Sequence, residues 1–496
     1  MSSASPGRFS RITSLLYRNW VSLAGLVLSV AAAFAFVFLF SIDLFAHGGN
    51  AYMGILAYIV APGFFFMGLA LVLAGWWLDR RARRKVAAGE VPKLALSIDL
   101  SLPEQRKHLV FFLSGATVFL LLTAFGSYRT YHYTESVQFC GQVCHTVMEP
   151  EFATYQHSPH ARVACVECHI GSGATWYVKS KLSGAYQVYA TIVNNYERPI
   201  PTPVANLRPA QDTCEQCHWP EKFAGDRVKL YTHFLSDEAN TPFNVKLELK
   251  VGGGNPTNGP VGGIHWHMSV ANKVEYIATD AQRQTIPWVR VTDQQGNVKV
   301  YATAEFRDHP PPGEVRRMDC IDCHNRPAHV LKAPSFLVEQ AMALGRVDLT
   351  LPNFKEHGTK ALVADYATNE AAMSGIAATL REAYPGRATV QGAIEELQRI
   401  YRTNFFPIMK SRWDKYPDNI GHKYWPGCFR CHDNEHATPD GKLAIKSSDC
   451  TACHAILAQG APGELGQPVA AGGEFKHPGD DISGTACNVC HDGSGM

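Results

Sequence analysis

Cysteine and histidine occur in this chain at one repeated spacing. The run Cys165-Val-Glu-Cys168-His169 has two thiols three residues apart and a histidine directly after them. That is the pattern for covalent attachment of c-type haem, in which the thiols bond to the porphyrin vinyl groups and the imidazole ligates the iron. Five more copies follow, at Cys214/Cys217 with His218, Cys320/Cys323 with His324, Cys428/Cys431 with His432, Cys450/Cys453 with His454 and Cys487/Cys490 with His491. Upstream, Cys140-Gly-Gln-Val-Cys144-His145 has one spacer residue more and reads as a variant, because a longer loop still spans two vinyl positions. The seven pairs use all 14 cysteines. Zinc sites need facing ligand pairs and no histidine after every second cysteine, and disulfides make no demand on the next residue. The pattern predicts seven c-type haems.

Haem iron takes a second axial ligand, and histidine is abundant enough to supply it. Of 21 histidines, seven belong to the motifs, and twelve others lie beyond residue 129. Those closest in sequence to a motif are His157, His160, His422, His436 and His477. His265 and His267 alternate in Ile264-His-Trp-His-Met268; on a strand they would share one face and compete for one haem or serve two neighbours. Met148, three residues after His145, is a candidate thioether ligand for the first haem.

Something must hold these motifs, and the first quarter of the chain is of a different character from the rest. Residues 21–42, 51–78 and 109–128 contain no charged side chain, and each is long enough to cross a bilayer as a helix. Pro62-Gly63 interrupts the middle run. The first run has no convincing cleavage site and reads as an uncleaved signal anchor. Arg80, Arg81, Arg83, Arg84, Lys85, Lys93, Arg106 and Lys107 crowd the link between the second and third runs, whereas the link between the first and second has neither Lys nor Arg. The positive-inside rule puts the N-terminus and loop 79–107 in the cytoplasm, and everything after about residue 129 outside. The net charge of +2 gives no reason to expect nucleic acid as a partner.

The fold expected is therefore an α-helical anchor of three transmembrane helices, residues 1–128, followed by a periplasmic multihaem domain. That domain is mostly irregular and α, with a small antiparallel β insert. It divides into residues 129–235 with the first three motifs, a β-rich insert at 236–310, and 311–496 with the last four. Strands are expected at Val245–Val251, Lys273–Thr279, Trp288–Thr292 and Val298–Thr303. Helices are expected at Trp176–Asn194, Ser335–Leu344, Asn369–Tyr384 and Val390–Phe405. Little regular structure is expected among the last three motifs. The 176–194 helix, with Trp176 and Tyr177, suits the membrane surface.

An anchor, a first motif just outside it with a nearby methionine, and then HSPHARVACVECHIGSGATWYVKSKLSG (157–184) resemble the NapC/NirT/NrfH family of quinol-oxidising multihaem cytochromes c, over roughly residues 129–220. Length, three spans and seven motifs are most similar to the heptahaem inner-membrane type of metal-reducing bacteria. The resemblance implies that the haem nearest the membrane takes electrons from menaquinol, a role falling on His145 and Met148. It also implies a lysine beside the quinol, a slot that Lys179 and Lys181 fit. Two departures stand out: family members commonly have one anchoring helix, and their first motif has two spacers. The function expected is a quinol dehydrogenase of the bacterial inner membrane that passes electrons to a periplasmic c-type cytochrome or other redox partner. Glu135, Glu149, Glu151, Lys179 or Lys181 would take the quinol protons, since proton transfer needs a titratable group within hydrogen-bond reach. The alternative is a passive electron-transfer subunit fed by another membrane protein.

Overall fold

The computed structural model describes residues 20–45, 60–84, 102–171, 174–204, 207–253, 262–268, 272–446, 450–479 and 485–495. They fall into two compact units, Met1–Glu135 with His169–Gln187, and Ser136–Cys168 with Val188–Met496.

The first unit is built on α1 (Trp20–Phe45), α2 (Ala61–Arg83) and α3 (Pro103–Thr134). Trp20–Val37 and Ala61–Ala82 are each long and apolar enough to cross a membrane. Pro62, expected to interrupt the second run, instead lies in the first turn of α2, where its missing N–H is not needed. Residues 51–59 of that run, and 85–101 of the basic loop, lie outside the described residues. The expected third run, 109–128, lies within α3, which exposes Val110, Phe111, Leu113, Val118, Leu122 and Phe125.

Lipid offers no hydrophobic drive for one apolar helix to leave it for another, so close backbone approach and interhelical hydrogen bonds must do the joining. α1 and α2 have both. A Cβ on Gly25 would stand 2.5 Å from the Gly68 carbonyl oxygen, and one on Gly68 would stand 2.3 Å from Ser29 Oγ. The Ser29 hydroxyl donates to the Phe65 carbonyl at 3.2 Å. At the end of α2, Arg80 and Arg81 lie over the rings of Trp76 and Trp77, each at 5.4 Å, in the manner of an interfacial belt.

Beyond α3 come α4 (His145–Gln156) and α5 (Ala174–Ile192), the latter close to its expected bounds. The second unit has its largest core among α6 (Pro334–Ala343), α7 (Phe354–Val363), α8 (Asn369–Ala383) and α9 (Val390–Asn404). α9 shows how the sequence makes such an element: Val390, Ala393, Ile394, Leu397, Ile400 and Tyr401 recur at helical spacing and all are buried. They close on Leu337, Met342, Phe354, Leu362, Ile376 and Leu380. α6, α8 and α9 match their expected positions; α7 was not expected.

Two antiparallel sheets complete this unit. One has the order β5 (Val298–Ala302), β4 (Trp288–Thr292), β3 (Lys273–Ile277), β6 (Arg316–Arg317). The other sets β2 (Pro242–Leu249) between β1 (Arg227–Phe234) and β7 (His454–Gly460). Neither β1 nor β7 was expected, and β7 corrects the expectation of little regular structure among the last motifs. It begins at the histidine of the sixth motif, with His454 paired in register to Leu249.

Candidate functional site

Most of the thiol pairs are presented by a short turn. Cys165–His169, Cys320–Cys323 and Cys487–Cys490 are helical, and Gly427–Arg430 is a 3₁₀ turn. The histidine N–H bonds back to the first cysteine carbonyl in four motifs: His218 to Cys214 at 2.8 Å, His324 to Cys320 at 2.8 Å, His432 to Cys428 at 3.1 Å and His491 to Cys487 at 2.8 Å. One such turn brings residues i and i+3 onto one face, so both thiols point the same way with the imidazole beside them. The fourth motif has a full capping box, in which Asp319 accepts from Ile321 N and Asp322 accepts from Asp319 N.

Cys217 and Cys453 depart from this arrangement. In the third motif the helix Ala210–Cys214 ends at the first cysteine. Cys217 lies beyond it, exposed, with its N–H on the Cys214 carbonyl at 3.1 Å. Beyond the motif Trp219 is extended, as expected of a residue before a proline. The Cys214 thiol meets Cys320 of the fourth motif rather than Cys217; that hydrogen bond raises the Cys214 pKa and lowers that of Cys320. In the sixth motif the 3₁₀ turn Cys450–Ala452 stops one residue short of Cys453. The Cys453 carbonyl accepts from Lys250 N at 2.9 Å, just past the end of β2, so the second cysteine is drawn toward the sheet that β7 then joins.

The first motif absorbs its extra residue as a π-helical turn, Phe139–Val143, which is how a helix accommodates a one-residue insertion. Gly141 is buried there under Phe152 of α4; a Cβ at this position would stand 2.1 Å from the Phe152 ring. His145 and Met148 lie three apart on α4, hence on the same side of it.

None of the thirteen described cysteines is in a disulfide. A structural zinc needs four converging protein ligands; among the described residues no group of three or more His, Cys, Asp or Glu gathers in that way. What gathers instead is imidazole. His160 lies with its ring centre 6.1 Å from that of His218, His265 6.3 Å from His324, His267 5.9 Å from His432, His422 6.2 Å from His454 and His477 6.0 Å from His491. An imidazole nitrogen sits roughly 2.0–2.1 Å from its metal, with the ring centre about 1.1 Å behind it, so two rings on opposite sides of one iron should be about 6.3 Å apart. The five separations fit that value, and each joins a motif histidine to one from elsewhere.

The tautomers agree. His160, His265 and His267 each turn Nδ1 to a backbone carbonyl, of Pro327 at 3.3 Å, Val251 at 2.9 Å and Ile264 at 3.0 Å. A carbonyl only accepts, so Nδ1 carries the proton and Nε2 keeps its lone pair for a metal. Nδ1 of His422, His454 and His477 is buried with no hydrogen-bond partner in the protein. Burial pushes the pKa of His267, His324, His422, His432 and His454 below the usual imidazole range, which favours the neutral, ligating form.

Other expected residues are placed differently. His436 is fully buried, but its Nδ1 faces the Asp433 carboxylate at 2.9 Å and its Nε2 the Ile286 carbonyl at 2.7 Å. Both nitrogens are taken up by protein partners, so neither is turned to a motif histidine; for this residue nearness in sequence to a motif was a misleading guide. His157 is exposed, with Nδ1 on the Ala153 carbonyl of its own helix at 2.8 Å. Ile264–Met268 is a 3₁₀ helix rather than a strand, so His265 and His267 diverge instead of sharing a face.

In the first unit, Lys181 pairs with Glu135, whose side chain is 8% exposed, while Lys179 lies 4.9 Å over the Trp176 ring. Among the other expected proton acceptors, Glu151 is engaged by Arg326 at 3.2 Å and His329 at 3.2 Å. The Glu149 carboxyl is pushed above the usual range by burial, with His145 opposing.

The sequence reading also missed polar residues that hold the motifs. Asp322, between Cys320 and Cys323, is buried, accepting from Tyr276 at 2.5 Å and Arg283 at 3.0 Å. Arg430, between Cys428 and Cys431, donates to the backbone carbonyls of Asp322 at 2.7 Å, Arg283 at 2.9 Å and Gly427 at 2.9 Å. An ionisable residue at the second spacer position of each of these two motifs was the available signal.

Paired thiols with an adjacent imidazole, repeated from Cys140 to His491 and in five cases faced by a further imidazole, are the attachment chemistry of a c-type cytochrome, here with apolar anchor helices. The chain belongs to the NapC/NirT cytochrome c family, whose N-terminal region matches residues 102–200. It is 40% identical over 491 residues to the cytochrome c-type protein ImcH of Geobacter sulfurreducens, spanning 95% of each chain. It is also 36% identical over 78 residues to the cytochrome c-type protein NrfH of Wolinella succinogenes, which covers 15% of this chain and 44% of that one. No solved structure matches. Haem-based electron transport is thus the general activity.

Proposed function

We propose that this cytochrome oxidises menaquinol at the outer face of the bacterial inner membrane and delivers the electrons to a periplasmic c-type cytochrome or similar acceptor. Three spans anchor it, with the N-terminus and loop 79–107 in the cytoplasm. The seven thiol pairs hold seven haems, and His145, His169, His218, His324, His432, His454 and His491 ligate their irons. Bound there, haem supplies one-electron redox chemistry. His160, His422 and His477, which face His218, His454 and His491, would supply the further ligands to those irons. The observation that carries this reading is the run of imidazole pairs at 5.9–6.3 Å, since two strong ligands per iron suit electron transfer rather than substrate binding. Met148 shares a helix side with His145, so it does not face that imidazole across the first haem.

Each quinol gives up two electrons and two protons. The quinol site proposed lies on α5. Cys140 follows the end of α3 by six residues, which at about 3.3–3.6 Å each keeps it within about 22 Å of that end. α5 bears an exposed apolar stripe of Val178, Leu182, Tyr186, Tyr189 and Ile192, at the spacing of a helix lying in the interface. Lys179 and Lys181 flank that stripe on opposite edges; Glu135 with Lys181 is a carboxylate able to accept a quinol proton, and Lys179 is a second cation beside the stripe. The test is reduction of the purified protein by a menaquinol analogue, with haem counted by mass. Rapid reduction of seven haems, slowed at least tenfold in the Lys179→Met/Lys181→Met protein but complete with dithionite, is expected. A protein that dithionite reduces and quinol does not would be the passive subunit fed by another membrane protein.

A further inference from the structure

We infer that the five-residue helix Ile264–Met268 is a double ligand bracket: His265 is the sixth ligand of the haem on Cys320/Cys323, and His267 that of the haem on Cys428/Cys431. The inference rests on the haem reading and goes beyond it by fixing two irons to a single peptide element.

Geometry carries it. In a 3₁₀ helix of three residues per turn, side chains two apart diverge by about 120°. His265 accordingly stacks toward His324, with ring planes 6° apart, while His267 meets His432 nearly edge-on at 78°. The bracket is held at its N-terminal end. Ile264 N donates to the Lys250 carbonyl at 2.8 Å and His265 N to the Val251 carbonyl at 3.1 Å. Between the two histidines, Trp266 packs on the core of Val274, Tyr276, Ile286 and Val289, and Cys431 of the fifth motif packs on the same core.

The opposite side is bolted in the same way. Arg430, inside the fifth motif, donates to the carbonyl of Asp322, inside the fourth, and Asn419 Nδ2 donates to that same oxygen at 2.9 Å. Both proximal loops are therefore tied to each other and both distal ligands to one helix. The two haems form one rigid pair whose spacing changes only if the bracket or the bolt breaks.

Peptide mass on the unsubstituted protein comes first: haem must be found on both Cys320/Cys323 and Cys428/Cys431, and its absence there would fail the haem reading itself. His265→Met, His267→Met and the double variant are then compared by ferric optical and electron paramagnetic resonance spectra and by redox titration. Each single variant should gain one iron–thioether charge-transfer band and move one haem to higher potential, as methionine ligation does; the double should gain twice that band. Where methionine packs poorly, His265→Gly and His267→Gly should each show one high-spin iron that added imidazole returns to low spin. Haem-replete variants with unchanged spectra would make these core histidines and nothing more. A double variant converting only one haem would make them alternatives for a single iron.

Discussion

Lys181 and Lys179 are two residues apart on α5, yet their surroundings predict unequal effects. Lys181 neutralises Glu135, and the two side chains are 37% and 8% exposed. Removing one partner of a fully buried pair costs roughly 3–5 kcal/mol because the other charge is left behind, whereas exposed pairs are worth about 0.2–1 kcal/mol. A pair with one partner buried and the other partly solvated falls between, at about 1–2 kcal/mol. If that difference is expressed in the quinol step, Lys181→Met slows it roughly five- to thirtyfold. Lys179 contributes only an exposed cation–π contact, worth about 0.5 kcal/mol, or roughly twofold. The assay is stopped-flow haem reduction by a menaquinol analogue, with dithionite reduction and haem content as controls. Glu135→Gln separates proton transfer from charge balance. If Glu135 accepts the proton, Glu135→Gln/Lys181→Met stays slow; if the pair is only a structural tie, the neutral double variant recovers the parental rate. Parental rates in both Lys181→Met and Glu135→Gln would refute the reasoning.

Gly141→Ala places a methyl group 2.1 Å from the Phe152 ring, so the π-turn must distort; the mature protein should lose the haem on Cys140/Cys144, and a mass still fitting seven would count against the packing described. Glu339 is buried between His233 and Lys355, at 2.9 Å from each, and its pKa is lowered from 4.5 to about 2, with hydrogen bonding to His233 and the nearby lysines outweighing burial. A depressed carboxyl pKa stabilises the fold fully above the unfolded value, and the gain is lost as pH falls from about 4.5 toward 2. Glu339→Gln should therefore cost about 3 kcal/mol at neutral pH and flatten the acid limb of a melting curve, which thermal scans from pH 2 to 7 would read. Reporter fusions after Lys93 and at Met496 should report opposite sides of the membrane; the same side for both would overturn the three-span arrangement.

The sequence made the motifs legible because covalent attachment requires fixed residue types at fixed spacing. It was less informative where a long-range partner decides the structure. β1 exposes Arg227, Val228, Lys229 and Leu230 alike, so no face is marked by burial, and it is a strand because β2 lies beside it. β7 owes its form to the same β2, far earlier in the chain. The alternation at His265 and His267 imitates a strand, but the hydrogen bonds to Lys250 and Val251 tighten the segment into a 3₁₀ turn. α7 starts after Asn353 in a left-handed conformation (φ 52°) and contains Gly358, two residues that read as a turn until tertiary packing overrides them. His436 shows the limit at the level of a single atom: closeness to a motif in sequence says nothing about where a lone pair points.

α3 runs without a break for 32 residues, from Pro103 to Thr134. At 1.5 Å per residue that is about 48 Å of rod, against a hydrocarbon core of about 30 Å. On the proposed arrangement, its upper end is a stiff lever that carries Glu135 above the bilayer. Tilting to match a thinner membrane would lower that end and shift it sideways, and a thicker membrane would raise it. Bilayer thickness then becomes an input to quinol access, set by lipid composition rather than by any ligand. Reduction rates in vesicles of graded acyl-chain length would read that displacement, and rates indifferent to chain length would mean that the lever is uncoupled from the chemistry.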